Sequence, residues 1–479
     1  MTLGAIAFGP SQSAAEELGG AQPFAYNVVV DKAGVIRRRP GLRAYSSAPA
    51  GVVDANGISL LHSTESGQLI AVNNHPTNKT IYRIAGGAAV DVTTATGYRL
   101  QGTRRPTVAE TEAMLVFAAG DDPAKYLFAT GETSALGGTP PKASHVIANA
   151  SRLLVNNTVD FLGRISYSNQ AAGSSIAGHE TWSGLGTGFF TAEARPDIVP
   201  ALHENTNEVF AFGATTLQYF APDGTSVYAP VTTREHGCAA AYSIIKIDQS
   251  FAWLDHQRRI VMSDGRQLSV LSNEIHTELL ALTTVSDCYG FRVVTGTAES
   301  LVWTFPTEGR TYAFQVGGGW SRWSGYNYTT GNWSPLTIFS HHRISGLSTN
   351  IVGTTDGKVM ELADGVTSDN GTVIVARSRS GFVSRGTPMR KQCVAVRVTL
   401  RRGNALTSPA PIGFLRWRDD LGPWSTSLPV GFGTIGDSTT VLEFRSLGVY
   451  RTRQWEFEFS GDVDFSLVSV VEEFIVLPT

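Results

Sequence analysis

The sequence predicts an all-β protein, a six- or seven-bladed β-propeller followed by a C-terminal β-sandwich-like domain. Three observations carry this. Short β-branched and aromatic runs are punctuated by Gly, Asn, Asp and Pro, while apolar residues spaced three and four apart are scarce. Groups of such runs recur about every 47 residues between 68 and 349, the length of a propeller blade. Finally, 50 Gly against 5 Met in 479 residues favours tight turns over helices, because Gly weakens a helix by about 1 kcal/mol relative to Ala.

Taken in order, residues 27–30 form a first short strand. Residues 58–63, 68–73, 80–85 and 88–93 make a four-strand meander with ESG, NHPTNK and GG turns. Residues 113–119, 152–156, 208–212, 250–254, 300–305 and 349–354 repeat its second strand. The fifth unit is the most regular: runs at 243–247, 251–254, 259–263 and 267–271 are joined by polar turns that include Ser263-Asp264-Gly265, a hairpin signal. The seventh unit has runs at 336–339, 350–354 and 358–362 but no fourth, and an unpaired edge is a hazard. Residues 27–30 are therefore expected to close the ring. From 371 the strands lengthen (393–400, 439–444, 454–459, 465–471) with wider connections, as in a sandwich. The expected division is 1–50, a segment closing the propeller; 51–370, the propeller; and 371–479, the sandwich-like domain.

Charge and cysteine content narrow the function classes. With 42 % hydrophobic and 16 % charged residues, disorder and coiled coil are excluded. The net charge of −3 gives no overall basic balance for phosphate binding. It is unevenly divided: residues 371–479 hold 13 Lys+Arg against 10 Asp+Glu, which is +3 and leaves −6 for the rest. Three cysteines, Cys238, Cys288 and Cys393, are no disulfide framework and suit a reducing compartment. The start MTLGAIAFGP has no basic stretch before an apolar run, and no run approaches the ~18 apolar residues of a membrane span, so neither an export signal nor a span is expected.

No catalytic constellation stands out, and neither an enzyme nor a cofactor or metal is expected. His341 and His342 are neighbours that face opposite sides of a strand. Gly184-Leu185-Gly186-Thr187-Gly188 lacks the Lys-Ser/Thr pair of a phosphate loop. The paired carboxylates Asp121-Asp122, Asp419-Asp420 and Glu472-Glu473 are adjacent, and adjacent strand residues diverge. A carbohydrate-active propeller, glycosidase or lectin, is the alternative reading; it needs convergent carboxylates or an aromatic trough. Trp320, Trp323, Tyr326, Tyr328 and Trp333 form either such a platform or blade-core packing. Arg37-Arg38-Arg39 is either a phosphate contact or a surface ion-pair cluster.

Residues 27–42 read NVVVDKAGVIRRRPGL. In Asn27, the Asp31-to-Gly34 turn and the Arg39-Pro40-Gly41 stop, this stretch resembles the opening signature of the packaged-DNA stabilisation proteins of short-tailed bacteriophages, also called tail hub or nozzle proteins. Residues 165–169 with Trp182, Phe189-Phe190 and Asp197, then Gly237-Cys238 with 240–243 and 251–255, then 352–359 with 369–371, resemble the same family in order. Ser168-Asn169 stands where the family has Ser-Asp, and the following loop is unusually Gly-rich.

The resemblance implies a virion component in the phage tail, synthesised in the host cytoplasm. It implies a six-fold ring of copies below the portal and its adaptor protein, which carries a needle, plug or fibres. DNA passes through the channel of that ring without specific binding. The Gly-rich loop 173–190, with bulky side chains Trp182, Phe189 and Phe190, either carries these tips into the channel as a gate or packs them on its own blade.

Overall fold

A computed structural model of the chain describes residues 2–8, 25–30, 35–45, 53–85, 88–192, 197–206, 208–222, 227–296, 298–344, 347–402, 412–431 and 439–478. Among these, strands dominate and the single α-helix is His276–Leu280. Among the described residues, no helix is long and apolar enough to cross a membrane. The chain groups into two compact units: Ala44–Arg292 with Thr337–Glu361, and Met1–Arg43 with Val293–Leu336 and Leu362–Thr479. The expected limits at 50 and 370 do not coincide with these groups, because 293–336 goes with both termini.

The first unit is the propeller. Five four-stranded antiparallel meanders follow one another, beginning at Ile58–Ser63, Thr107–Glu110, Val146–Asn149, Ala201–Asn205 and Ile245–Ile247. Their second strands, Leu69–Asn73, Met114–Ala118, Arg152–Asn156, Glu208–Phe212 and Ser250–Leu254, are buried almost throughout. A strand covered on both faces needs no polar alternation, which is why LIAVN, MLVFA and FAWL read as continuous apolar runs. Buried polar side chains tie strand to strand. Asn156 accepts from the backbone N–H groups of Ser144 (3.0 Å) and His145 (2.8 Å) and donates to Val199 O (3.0 Å).

Tyr289–Val294 and the hairpin Ile338–Ile344/Thr349–Thr354 come later in the chain. Residues 59–61, 107–110, 146–148, 202–204, 241–244, 289–291 and 340–341 line one axial cavity of about 410 Å³. Seven inner segments around one axis make a seven-bladed propeller.

In the second unit a β-sandwich is built on two long strands, Lys391–Arg402 and Phe465–Val476, paired antiparallel. The facing sheet is Ala376–Val383, Arg453–Phe459, Ile412–Asp419 and Leu428–Gly431. Val396, Val398, Leu400, Leu467 and Val470 of one sheet meet Leu415, Trp455, Phe457 and Phe459 of the other in a single core. The same unit holds the meander Glu299–Phe305, Arg310–Gln315 and Gly319–Trp323.

The expectation that residues 27–30 complete the seventh meander is corrected in its residues: in the sheet of Ile338–Ile344, Thr349–Thr354 and Val359–Ala363 the fourth strand is Gly41–Ala44, still within the 1–50 segment. Val28–Val30 pairs with Ile36–Arg38, which pairs in turn with Phe465–Val476. The cause is apolar burial: Ala25, Val28 and Ile36 join the sandwich core.

Candidate functional site

The signature residues converge on one buried node. Asn27 sits at φ +55°, a conformation that Asn tolerates better than most residues. Its Nδ2 donates to Ser324 O (2.9 Å) and Val375 O (2.8 Å); its Oδ1 accepts from Ser324 N (2.8 Å) and Arg39 Nε (2.8 Å). All side-chain hydrogen-bonding positions of one amide are engaged. Arg39 is buried and completes a fork to Asp369 at 3.0 and 2.6 Å, with its guanidinium over Trp323 at 5.8 Å. Its Nη1 also donates to Pro40 O at 3.0 Å. Gly41 is required by a close approach, since a Cβ there would lie 2.4 Å from Val366 O. Residues 25–27 also bond backbone to backbone with Arg322 and Arg377, stitching Gly319–Trp323 to Ala376–Val383. Asp31 and Gly34, the expected turn, lie outside the described residues.

The run Arg37-Arg38-Arg39 is therefore not a phosphate patch at its last two positions. Arg38 is buried, lies over the Phe459 ring at 4.8 Å and donates to Thr367 O (3.0 Å) and Gly461 O (2.6 Å). Burial lowers its pKa to about 10. The aromatic stretch divides. Trp320 and Trp323 are buried, Trp333 stacks on Tyr26 at 4.4 Å, and Tyr328 is exposed. Tyr326 packs on the Trp333 ring at 5.3 Å, so packing accounts for four of the five.

The Gly-rich loop is fastened at its base. Glu180 pairs with Lys125 and accepts the Gly137 N–H at 2.9 Å. Gly178 approaches Gln170 O so closely that a Cβ would lie 2.0 Å from it. Trp182 packs with Ile176 against the core containing Val116 and Leu153. Phe190 lies in the strand Gly188–Thr191 and touches the Phe220 ring at 4.5 Å and the Tyr228 ring at 5.0 Å. Phe189 is exposed, yet Arg164 lies 3.7 Å from both its ring and that of Phe161. The apolar tip that projects freely is Leu185, 99 % exposed, which the search for aromatic side chains passed over.

The adjacent carboxylates of the sandwich have separate partners. Asp419 takes Arg453 at 2.6 Å and Asp420 takes the Thr452 N–H at 2.9 Å. Glu472 is buried between Arg385 (2.7 Å) and the Tyr450 hydroxyl (2.6 Å), while Glu473 pairs with Arg397 at 2.9 Å. On the outer face of the sandwich, buried Glu456 gathers Arg379 (2.5 Å), Arg416 (2.5 Å) and Arg377 (3.4 Å). Burial pushes the Glu456 carboxyl up, but the three guanidiniums outweigh it and hold it below the usual range. Arg377, Arg379, Arg385, Arg397, Arg416, Arg445 and Arg453 are thus ion-paired within the sandwich. The three cysteines are free and buried, and burial raises the Cys238 thiol to about 12, so they are inert at neutral pH.

The propeller axis is lined by rings and imidazoles. Phe291 stacks on His341 at 5.3 Å, and His145 on Tyr242 at 5.2 Å. Burial lowers His145 to about 3 and His203 and His341 to about 4, so all three are neutral at pH 7. Sequence reasoning missed this cluster because each residue comes from a different blade.

Comparison with known proteins bears on this arrangement. The fold defines an all-β propeller protein. Residues 174–336, about a third of the chain, match the family model described as bacteriophage P22 Gp10, beta-propeller. That match supports, at the level of family, a phage DNA-stabilisation protein. No curated protein matches the chain significantly. Among solved structures, YCF48 bound to D1 peptide is 10 % identical with TM-score 0.40, covering 68 % of this chain and 99 % of its own. Virginiamycin B lyase from Staphylococcus aureus is 7 % identical with TM-score 0.42, covering 65 % and 96 %. The Cps50 (Swd1) beta-propeller domain of Myceliophteria thermophila is 9 % identical with TM-score 0.39, covering 65 % and 98 %.

Proposed function

We propose that the chain is a non-catalytic structural subunit of a short phage tail, a hub or nozzle protein. In this reading several copies form a six-fold ring on the portal adaptor, extend the DNA channel, help retain the packaged genome and carry a needle, plug or fibres. The observation that supports it most is the family match over 174–336, joined to an N-terminal signature whose Asn27, Arg39 and Gly41 are each used structurally. The size of the axial cavity adds a constraint. A cavity of about 410 Å³ accommodates a small molecule, not a duplex, so DNA would run along a channel made by several copies.

A conduit works best with little phosphate attraction along its wall, because each cationic contact adds to binding. The −6 charge of residues 1–370 suits a neutral-to-acidic wall, and the ion-paired sandwich suits protein partners. In the same reading the loop 173–190 is a candidate gate, now with Leu185 at its tip beside Phe189. Particles assembled without this chain should package DNA and then leak it, and adding the purified chain should restore retention. Full retention without the chain would reject the reading.

A further inference from the structure

We propose that the axial cavity of the propeller is a binding site for a small organic anion, a molecule carrying a carboxylate or phosphate head group, held by Arg105 and Tyr242. The inference rests on the propeller unit alone and is independent of the tail assignment.

The cavity lining carries one cation and two carboxylates. Both carboxylates are already engaged: Glu110 by His62 at 2.7 Å and the Glu65 N–H at 2.9 Å, Glu204 by Lys246 at 3.0 Å. Arg105 is not. Its guanidinium lies over the rings of Tyr289 (4.3 Å) and Phe339 (4.9 Å) and donates to the Phe339 carbonyl, but among the described residues no carboxylate pairs with it. A desolvated cation with rings and one carbonyl for company lacks the counter-charge that normally justifies its burial. Burial lowers its pKa, the direction expected of a charge without an anion close by.

A second donor belongs to a residue that lines the same space. The Tyr242 hydroxyl is buried and has no hydrogen-bond partner, and such orphaned groups call for an explanation. Its ring lines the cavity, stacked on His145. The imidazoles of His145, His203 and His341 are neutral, so they add no competing positive charge. One fork-shaped cation, one free hydroxyl and flat aromatic walls within about 410 Å³ match a small anion with a planar or compact body.

The test uses the full-length chain, with sodium benzoate and inorganic phosphate as separate probes, each against sodium chloride at equal ionic strength. The expected result is saturable heat of binding and a raised melting temperature with at least one probe; which one responds identifies the head group. Arg105→Met should weaken that binding at least tenfold, and Tyr242→Phe several-fold while leaving the fold intact. Should Arg105→Met not fold, Tyr242→Phe carries the comparison. No saturable response to either probe beyond chloride, or an unchanged response in both variants, overturns the proposal.

Discussion

The Asn27 side-chain oxygen accepts the Arg39 Nε–H at 2.8 Å while its amide nitrogen reaches two carbonyls, Ser324 O and Val375 O. One residue at positive φ thereby fixes the N-terminal segment, the meander ending at Trp323 and the first strand of the sandwich. Asn27→Gly should keep the backbone and lose the bonds, costing about 2–3 kcal/mol; Asn27→Ala should cost about 1 kcal/mol more for the left-handed conformation. Chemical denaturation measures the difference. Equal stability of both variants and the wild type would show that the node contributes nothing.

Arg39→Lys should not be tolerated as a conservative change. The fork to Asp369 needs two parallel N–H groups, and lysine supplies one point charge on a shorter, flexible stem. A loss of about 2–3 kcal/mol is expected, with Asp369→Asn costing a similar amount and the double variant less than their sum.

Acid should weaken the propeller in a defined window. His145, His203 and His341 have folded pKa values lowered to about 3, 4 and 4, whereas unfolded histidine titrates near 6.5. Between those values the unfolded chain binds more protons. Their contribution is complete above pH 6.5 and is lost as the pH falls toward 4, at up to about 1.4 kcal/mol per pH unit for a fully buried histidine. Melting curves from pH 7 to 4.5 should fall accordingly, with a shallower slope in His145→Gln. A flat profile would contradict burial of neutral imidazoles.

The sandwich should respond at lower pH. The Glu456 carboxyl is held below its usual range, so its contribution is present above about pH 4.5 and lost as the pH falls through the folded value. Glu456→Gln leaves Arg379 and Arg416 without their shared partner and should cost about 3–5 kcal/mol at pH 7. Near pH 3 the gap between variant and wild type should narrow.

Much of the fold was legible because its signals are local. Runs such as LIAVN, MLVFA and FAWL mark strands covered on both faces, and all seven second strands fall where the 47-residue rhythm puts them. The destination of Val28–Val30 was not legible. Three valines announce a strand but not its partners, which are separated from it by more than 400 residues along part of the sheet. The gate reading chose Trp182 and Phe190 for their size, yet size is what made them useful to neighbouring blade cores. Arg105 and Tyr242 carried no local mark, since only ring closure brings them to one cavity.

The central claim is that this chain is a subunit of a short tail, and electron microscopy of the purified chain mixed with a portal–adaptor assembly tests it most directly. The account predicts a ring of added density on the adaptor face away from the portal, with the isolated chain remaining mostly monomeric. Unchanged portal–adaptor particles at saturating concentrations of the chain would contradict it.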